Sequence, residues 1–78
     1  MTLNELKRGE LRPISEIVHD PDGHWRKLAA LGLMPGADVK MLQRWPTLVV
    51  QVGRTEVGLD EVTSCLVILG EPESEPSR

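Results

Sequence analysis

His19, Asp20, Asp22 and His24 stand within six consecutive residues, the densest set of potential metal donors in the chain. Imidazole and carboxylate together suit ferrous iron or zinc. The spacing argues against a built site. Two histidines five apart do not share a helix face, as residues three or four apart would. Cys65 is the only cysteine and lies far along the chain, so no Cys-x-x-Cys pair exists. The cluster reads as a solvated turn with capping aspartates, and no metal or other cofactor is expected. His19 and His24 are the candidate ligands if one binds. No phosphate loop or dinucleotide fingerprint occurs, and no nucleophile–base–acid set can be argued from the spacing. The chain is therefore expected to be non-enzymatic.

A protein without catalytic groups acts through its surface. Arg26, Lys27, Arg44 and Arg54 are candidate surface bases, and an arginine can supply transition-state charge to a bound GTPase. Their plainer reading is ordinary solvated charge. The two aromatic residues are Trp25 and Trp45. Trp25 falls on a helical stripe and reads as core. Trp45 lies beside Pro46 between two strand candidates and is the stronger interface residue, since aromatics anchor hot spots. Leu33, Met34 and Pro35 either extend an apolar patch there or only pack as a turn.

Composition narrows the partners. The net charge is -3, with twelve acids against nine bases. Glu71, Glu73 and Glu75 stand with Arg78 in the last eight residues, leaving the body near neutral. A nucleic-acid binder clusters Lys and Arg, and single-strand binders stack bases on several rings; neither pattern is present. No apolar run approaches the roughly 20 residues of a spanning helix. No basic-then-apolar leader opens the chain. A single thiol fits a reducing compartment, or a reactive or intermolecular thiol, and a cytoplasmic protein without direct membrane insertion is expected. Cys65, within Ser64-Cys65-Leu66-Val67, reads as a buried small hydrophobe.

The elements that must position these residues follow from local signals. Thr2 and Glu5 match a capping box over a short turn that carries Leu3 and Leu6. Leu11 to Val18 is ambiguous: Leu11, Ile14 and Ile17 are three apart, yet Pro13 opposes a helix. An edge-like strand with a bulge turns Ile14 and Ile17 inward together. A helix is expected over about His24 to Leu31, capped by Asp20 or Asp22, with Trp25, Leu28 and Leu31 on its buried stripe. Gly32 closes it in the left-handed conformation and sends Leu33 back onto Leu28. Pro35-Gly36 reads as the centre of a type II turn.

Val39 to Gln43 reads as a strand. Leu48 to Val52 and Thr55 to Leu59 form a hairpin about Gly53-Arg54, a type II′ turn. Counting outward pairs Val52 with Thr55, Gln51 with Glu56, Val50 with Val57, Val49 with Gly58 and Leu48 with Leu59. Leu48, Val50, Val57 and Leu59 then share the core face. Asp60 to Ser64 is a turn, and Cys65 to Leu69 a final strand. Residues 1–70 form one domain, and the acidic tail 71–78 is expected to be disordered. Five short strands and one helix suggest a small barrel, whose closure hides strand edges.

Leu3-x-x-Leu6-x-x-Gly9-Glu10, Ile14-x-x-Ile17 and Leu28-x-x-Leu31-Gly32-Leu33-Met34-Pro35-Gly36-x-x-Val39 together resemble the ferrous iron transport protein A (FeoA) family. Val50-x-Val52-Gly53 and Val57-Gly58-Leu59 extend the likeness to about residues 2–69. The resemblance implies a mainly β, SH3-like barrel with one short helix after the first strand. It implies a cytoplasmic accessory of ferrous iron uptake that docks on the cytoplasmic region of an FeoB-type transporter. It also admits a metal-sensing or corepressor module, because similar domains close some metal-dependent repressors. Basic and alanine residues commonly follow the last hairpin in that family. Asp60-Glu61-Val62-Thr63 stands here, so a partner contact at this turn carries the opposite charge.

Overall fold

The Gly53-Arg54 turn sets the register of the sheet. In the computed structural model, which describes residues 1–72, Gly53 has φ 60° and Arg54 stays at negative φ. That combination is the type II′ turn, whose twist matches the flanking strands. It joins strand β3, Leu48–Val52, to strand β4, Thr55–Leu59. The pairs run Val52–Thr55, Gln51–Glu56, Val50–Val57, Val49–Gly58 and Leu48–Leu59, as counted from the turn. Leu48, Val50, Val57 and Leu59 are buried. Each contributes on the order of 1.5–3 kcal/mol by leaving water.

Ahead of the hairpin come a 3-10 turn at Leu3–Glu5, strand β1 at Leu11–Ile17, helix α1 at His24–Ala30 and strand β2 at Asp38–Gln43. After it come a single-turn helix, α2, at Glu61–Ser64 and strand β5 at Val67–Leu69. The fold is mainly β, with α1 after the first strand as expected. All five strands form one antiparallel sheet in the order β4-β3-β2-β1-β5. The sheet is not closed. Met1 and Thr2 cover the outer edge of β5, where Leu69 N–H donates to the Met1 carbonyl at 2.7 Å and Thr2 bridges Ile68. The outer edge of β4 has no such cover among the described residues. Of the expected acidic tail, residues 73–78 lie outside the described residues; Glu71 and Pro72 are exposed.

Strand β1 corrects the sequence reading in one respect. It lies between β2 and β5, not at an edge. A register shift between Ile14 and Glu16 supplies the expected bulge, and Ile14 and Ile17 are both buried. Pro13 is tolerated because its missing N–H faces the side where β5 has ended. There the Pro13 carbonyl accepts from Gly70 N–H at 2.8 Å. Gly70's own carbonyl, lacking a donor at Pro13, accepts from Arg12 Nη1 at 3.2 Å.

Helix α1 ends in the expected motif. Gly32, at φ 97°, donates to the Ala29 carbonyl, and Leu33 N–H reaches the Leu28 carbonyl at 2.9 Å. These two bonds are the Schellman pattern that satisfies the last carbonyls. Leu33 and Leu28 are both fully buried. Leu31, expected on the buried stripe, is exposed instead: the helix stops at Ala30, and Leu33 folds back into the core. At the other end the capping residue is Gly23, not an aspartate. Asp20 still serves the first turn, accepting Trp25 N–H at Oδ1 (3.2 Å).

Cys65 is exposed, against expectation. Asp60 Oδ1 accepts Thr63 N–H at 2.7 Å and caps α2. That turn carries the chain through Cys65, so the last strand begins only at Val67. No helix among the described residues is long and apolar enough to cross a membrane.

Candidate interaction site

Trp45 projects from the four-residue connection between β2 and β3, and 83% of it is exposed. So open an aromatic ring can meet a partner without rearrangement of the fold, and aromatics are enriched among the residues that anchor interfaces. The connection that holds it is tied down at both ends. Gln43 Nε2 donates to the Thr47 carbonyl at 3.0 Å, closing the loop across its base. Arg44 Nη1 donates to the Leu6 carbonyl, fastening the loop to the N-terminal turn. A register shift between Met41 and Gln43 bends β2 just before the loop, a device that re-aims side chains. The Trp45–Pro46 peptide is cis.

Trp45 separates two grooves. One is lined by Arg8, Leu42, Gln43, Arg44 and Trp45. The other, of about 710 Å³, passes Trp45, Pro46, Gly58, Asp60 and Glu61, with Arg44 also on its wall. Asp60 is held ionised. Its hydrogen bonds to Thr63 lower its pKa, with smaller help from the charges of His24 and Lys27.

Leu33, Met34 and Pro35, expected either to extend an apolar patch with Trp45 or to pack as a turn, and the candidate bases Arg26 and Arg44 do not assemble with it as one surface. Leu33 is fully buried, so it cannot touch a partner directly. Met34 and Pro35 are exposed, but they precede β2 while Arg44 and Trp45 follow it. Six strand residues separate these ends by roughly 20 Å at the usual rise of about 3.3 Å per residue. Pro35 instead lines a shallow groove with Val18 and His19. Arg26 is on α1, its guanidinium 5.3 Å from the Trp25 ring centre. Arg44 and Trp45 are thus the pair that the fold brings together.

The histidines also part company. His19 stacks on Trp25 with ring centres 4.0 Å apart and planes 16° apart. His24 Nδ1 sits 2.7 Å from Asp20 Oδ2. That bond, and then the Asp20 charge, raises the His24 pKa. Burial opposes ionisation of Asp20, but its bonds from His24 and from backbone N–H groups prevail and lower its pKa. The donor atoms that do converge are those of Asp20, Asp22 and His24, all within 4.8 Å of one another. His19 is outside this group.

Sequence reasoning missed the groove beside Gly58. Its signals were present: a glycine opposite Val49, and two acids where the hairpin ends. It took the sheet's open edge to give them a common surface.

The FeoA domain family model matches residues 1–69. No curated protein matches the chain significantly by sequence. Among solved structures, a zinc complex of Stenotrophomonas maltophilia FeoA, a prokaryotic SH3-domain protein, is 28% identical, with a TM-score of 0.82. That alignment covers 95% of this chain and 99% of the other. An iron uptake regulatory protein (FeoA) is 21% identical, with a TM-score of 0.80 over 90% of this chain and 93% of that one. A manganese-dependent transcriptional repressor shares the fold at 15% identity and a TM-score of 0.79, covering 91% of this chain and 41% of that one.

Proposed function

The chain belongs to the FeoA domain family, and from that membership we propose that it serves ferrous iron uptake as a non-enzymatic cytoplasmic accessory. It docks on the cytoplasmic region of an FeoB-type transporter. The observation that carries this reading is Trp45, 83% exposed on a loop fixed by Arg44 and Gln43. An exposed aromatic on a loop already tied down needs little ordering of the loop on binding, so more of its burial energy is available to the complex. The similar S. maltophilia protein is described as a candidate ferrous-iron-transport activating factor. Without catalytic groups of its own, the domain acts by contacting one state of its partner more strongly than another.

Chemical-shift mapping tests this. Adding the transporter's cytoplasmic region should perturb the Trp45 indole and residues 43–47 first. Perturbation confined to the Met34-Pro35 end would move the docking face, and no perturbation would remove the proposal.

A metal-sensing reading has one observation in its favour, the convergence of Asp20, Asp22 and His24. Titration with ferrous or zinc ions separates the two. Stoichiometric micromolar binding, lost in His24→Ala, would favour the sensor.

A further inference from the structure

The groove beside Trp45 and the open edge of β4 form one continuous surface, and its chemistry names an occupant. In a two-residue hairpin the pair flanking the turn is hydrogen-bonded, and such pairs then alternate with non-bonded ones. Val52–Thr55, Val50–Val57 and Leu48–Leu59 are therefore the bonded pairs of β3 and β4. Glu56 and Gly58 direct their N–H and C=O groups away from the sheet. No described residue lies hydrogen-bonded beyond β4, whereas β5 at the other end is covered by Met1 and Thr2.

The side chains around this edge select a charge. Glu56, Asp60 and Glu61 are all exposed, and Arg54 is the base at the far end of the strand. Trp45 forms the wall of the groove that Asp60 and Glu61 share. An open indole facing carboxylates suits a guanidinium or ammonium group, which gains from the ring face and from the acids together. Arg44 also lines the groove and keeps its positive charge, since the Leu6 carbonyl that holds its Nη1 is neutral, but Asp60 and Glu61 outnumber it there. Lys27 and His24 act on Asp60 from α1, so Glu61 carries more of the uncompensated charge.

Gly58 completes the case. Its φ is not positive, and an added Cβ would meet nothing closer than 3.9 Å. Neither backbone nor packing requires glycine there. Its effect is to leave the groove wall without a side chain, where a second backbone can approach.

We propose that the β4 edge and the Trp45–Asp60–Glu61 groove bind an extended basic segment of a partner protein, which adds a strand beside β4. One arginine or lysine of that segment lies over Trp45 with its charge against Glu61 and Asp60. This deepens the docking reading and rests on it for the identity of the partner, though not for the chemistry.

The test uses the full chain and two end-blocked octapeptides, one alternating arginine with valine and the other alternating glutamate with valine. The arginine peptide should shift the Glu56 and Gly58 amides and the Trp45 indole saturably, and slow exchange at both amides. Asp60→Asn/Glu61→Gln should weaken it at least tenfold while keeping the α2 cap, since asparagine also caps. Glu56→Pro should abolish added-strand protection without removing a β3–β4 bond, because that N–H points outward; Glu56→Gln separates the effect of charge. Equal binding of the glutamate peptide, shifts centred elsewhere, or wild-type binding by both the double variant and Glu56→Pro would overturn the proposal. The transporter's cytoplasmic region separates the two readings. Binding through Trp45 that is indifferent to Glu56→Pro leaves docking standing and removes the added strand. Peptide binding as described, with no binding of the cytoplasmic region, leaves the groove and removes the transporter.

Discussion

Arg44 is a positioning residue before it is a charge. Its bond to the Leu6 carbonyl holds the loop that presents Trp45. Arg44→Ala should therefore lower partner affinity by loosening Trp45, with a loss that persists at high salt, where a rim charge would already be screened. The check is affinity against ionic strength for wild type and variant. The His24–Asp20 pair makes a second prediction at this scale. His24 has its pKa raised above its ordinary 6.5, so its contribution is complete below that value and fades as pH rises through the folded value. Asp20 has its pKa lowered below 3.8, so its share is present above that and fades as pH falls through its folded value. The pair should be strongest between those limits. A thermal melt series should show a small loss above about pH 6.5 that disappears in Asp20→Asn. An unchanged profile in that variant would show that the loss comes from other groups.

At the scale of elements, the joint between α1 and β2 is the most constrained. Gly32 sits at φ 97°, and an added Cβ would meet only Val52 Cγ1 at 3.8 Å, an ordinary contact. The cost of Gly32→Ala is then purely conformational, about 1–2 kcal/mol, read by denaturant midpoint. Leu28 is fully buried beneath this cap, and Leu28→Ala should cost about 2–5 kcal/mol. In so small a domain that approaches the whole of its stability. Elements like this joint were legible in the sequence because their geometry is local. Gly32, Pro35-Gly36 and Gly53-Arg54 each fix their turns within four or five residues. The position of β1 was not legible, because strand order is decided by distant residues. Gly70, with Arg12 reaching its carbonyl, makes Pro13 acceptable inside the sheet, and nothing near Pro13 in the chain says that Gly70 will lie beside it. Leu31 and Cys65 were misplaced for a related reason: each falls at a helix end, where a shift of one residue exchanges core for solvent.

For the whole molecule, the candidate site is a consequence of unequal edges. Among the described residues, the N-terminal ones seal β5 and none covers β4. Single residues of the site were legible, Trp45 above all, but their grouping was not. Met34 and Pro35 looked close to Trp45 in the chain, and β2 carries them to the other end of the molecule. Gly58, Asp60 and Glu61 looked remote from Trp45, and the hairpin brings them into its groove. The proposed role of this FeoA-family domain is to bind, through the aromatic that it leaves exposed. The central claim is that Trp45 anchors that binding. The most direct measurement is the affinity of the transporter's cytoplasmic region for the wild-type chain and for Trp45→Ala, with folding of both verified by melting. Trp45→Ala should keep its melting temperature and lose roughly 1–3 kcal/mol of association free energy, the scale of a hot spot. Equal affinities of two folded proteins would contradict the account.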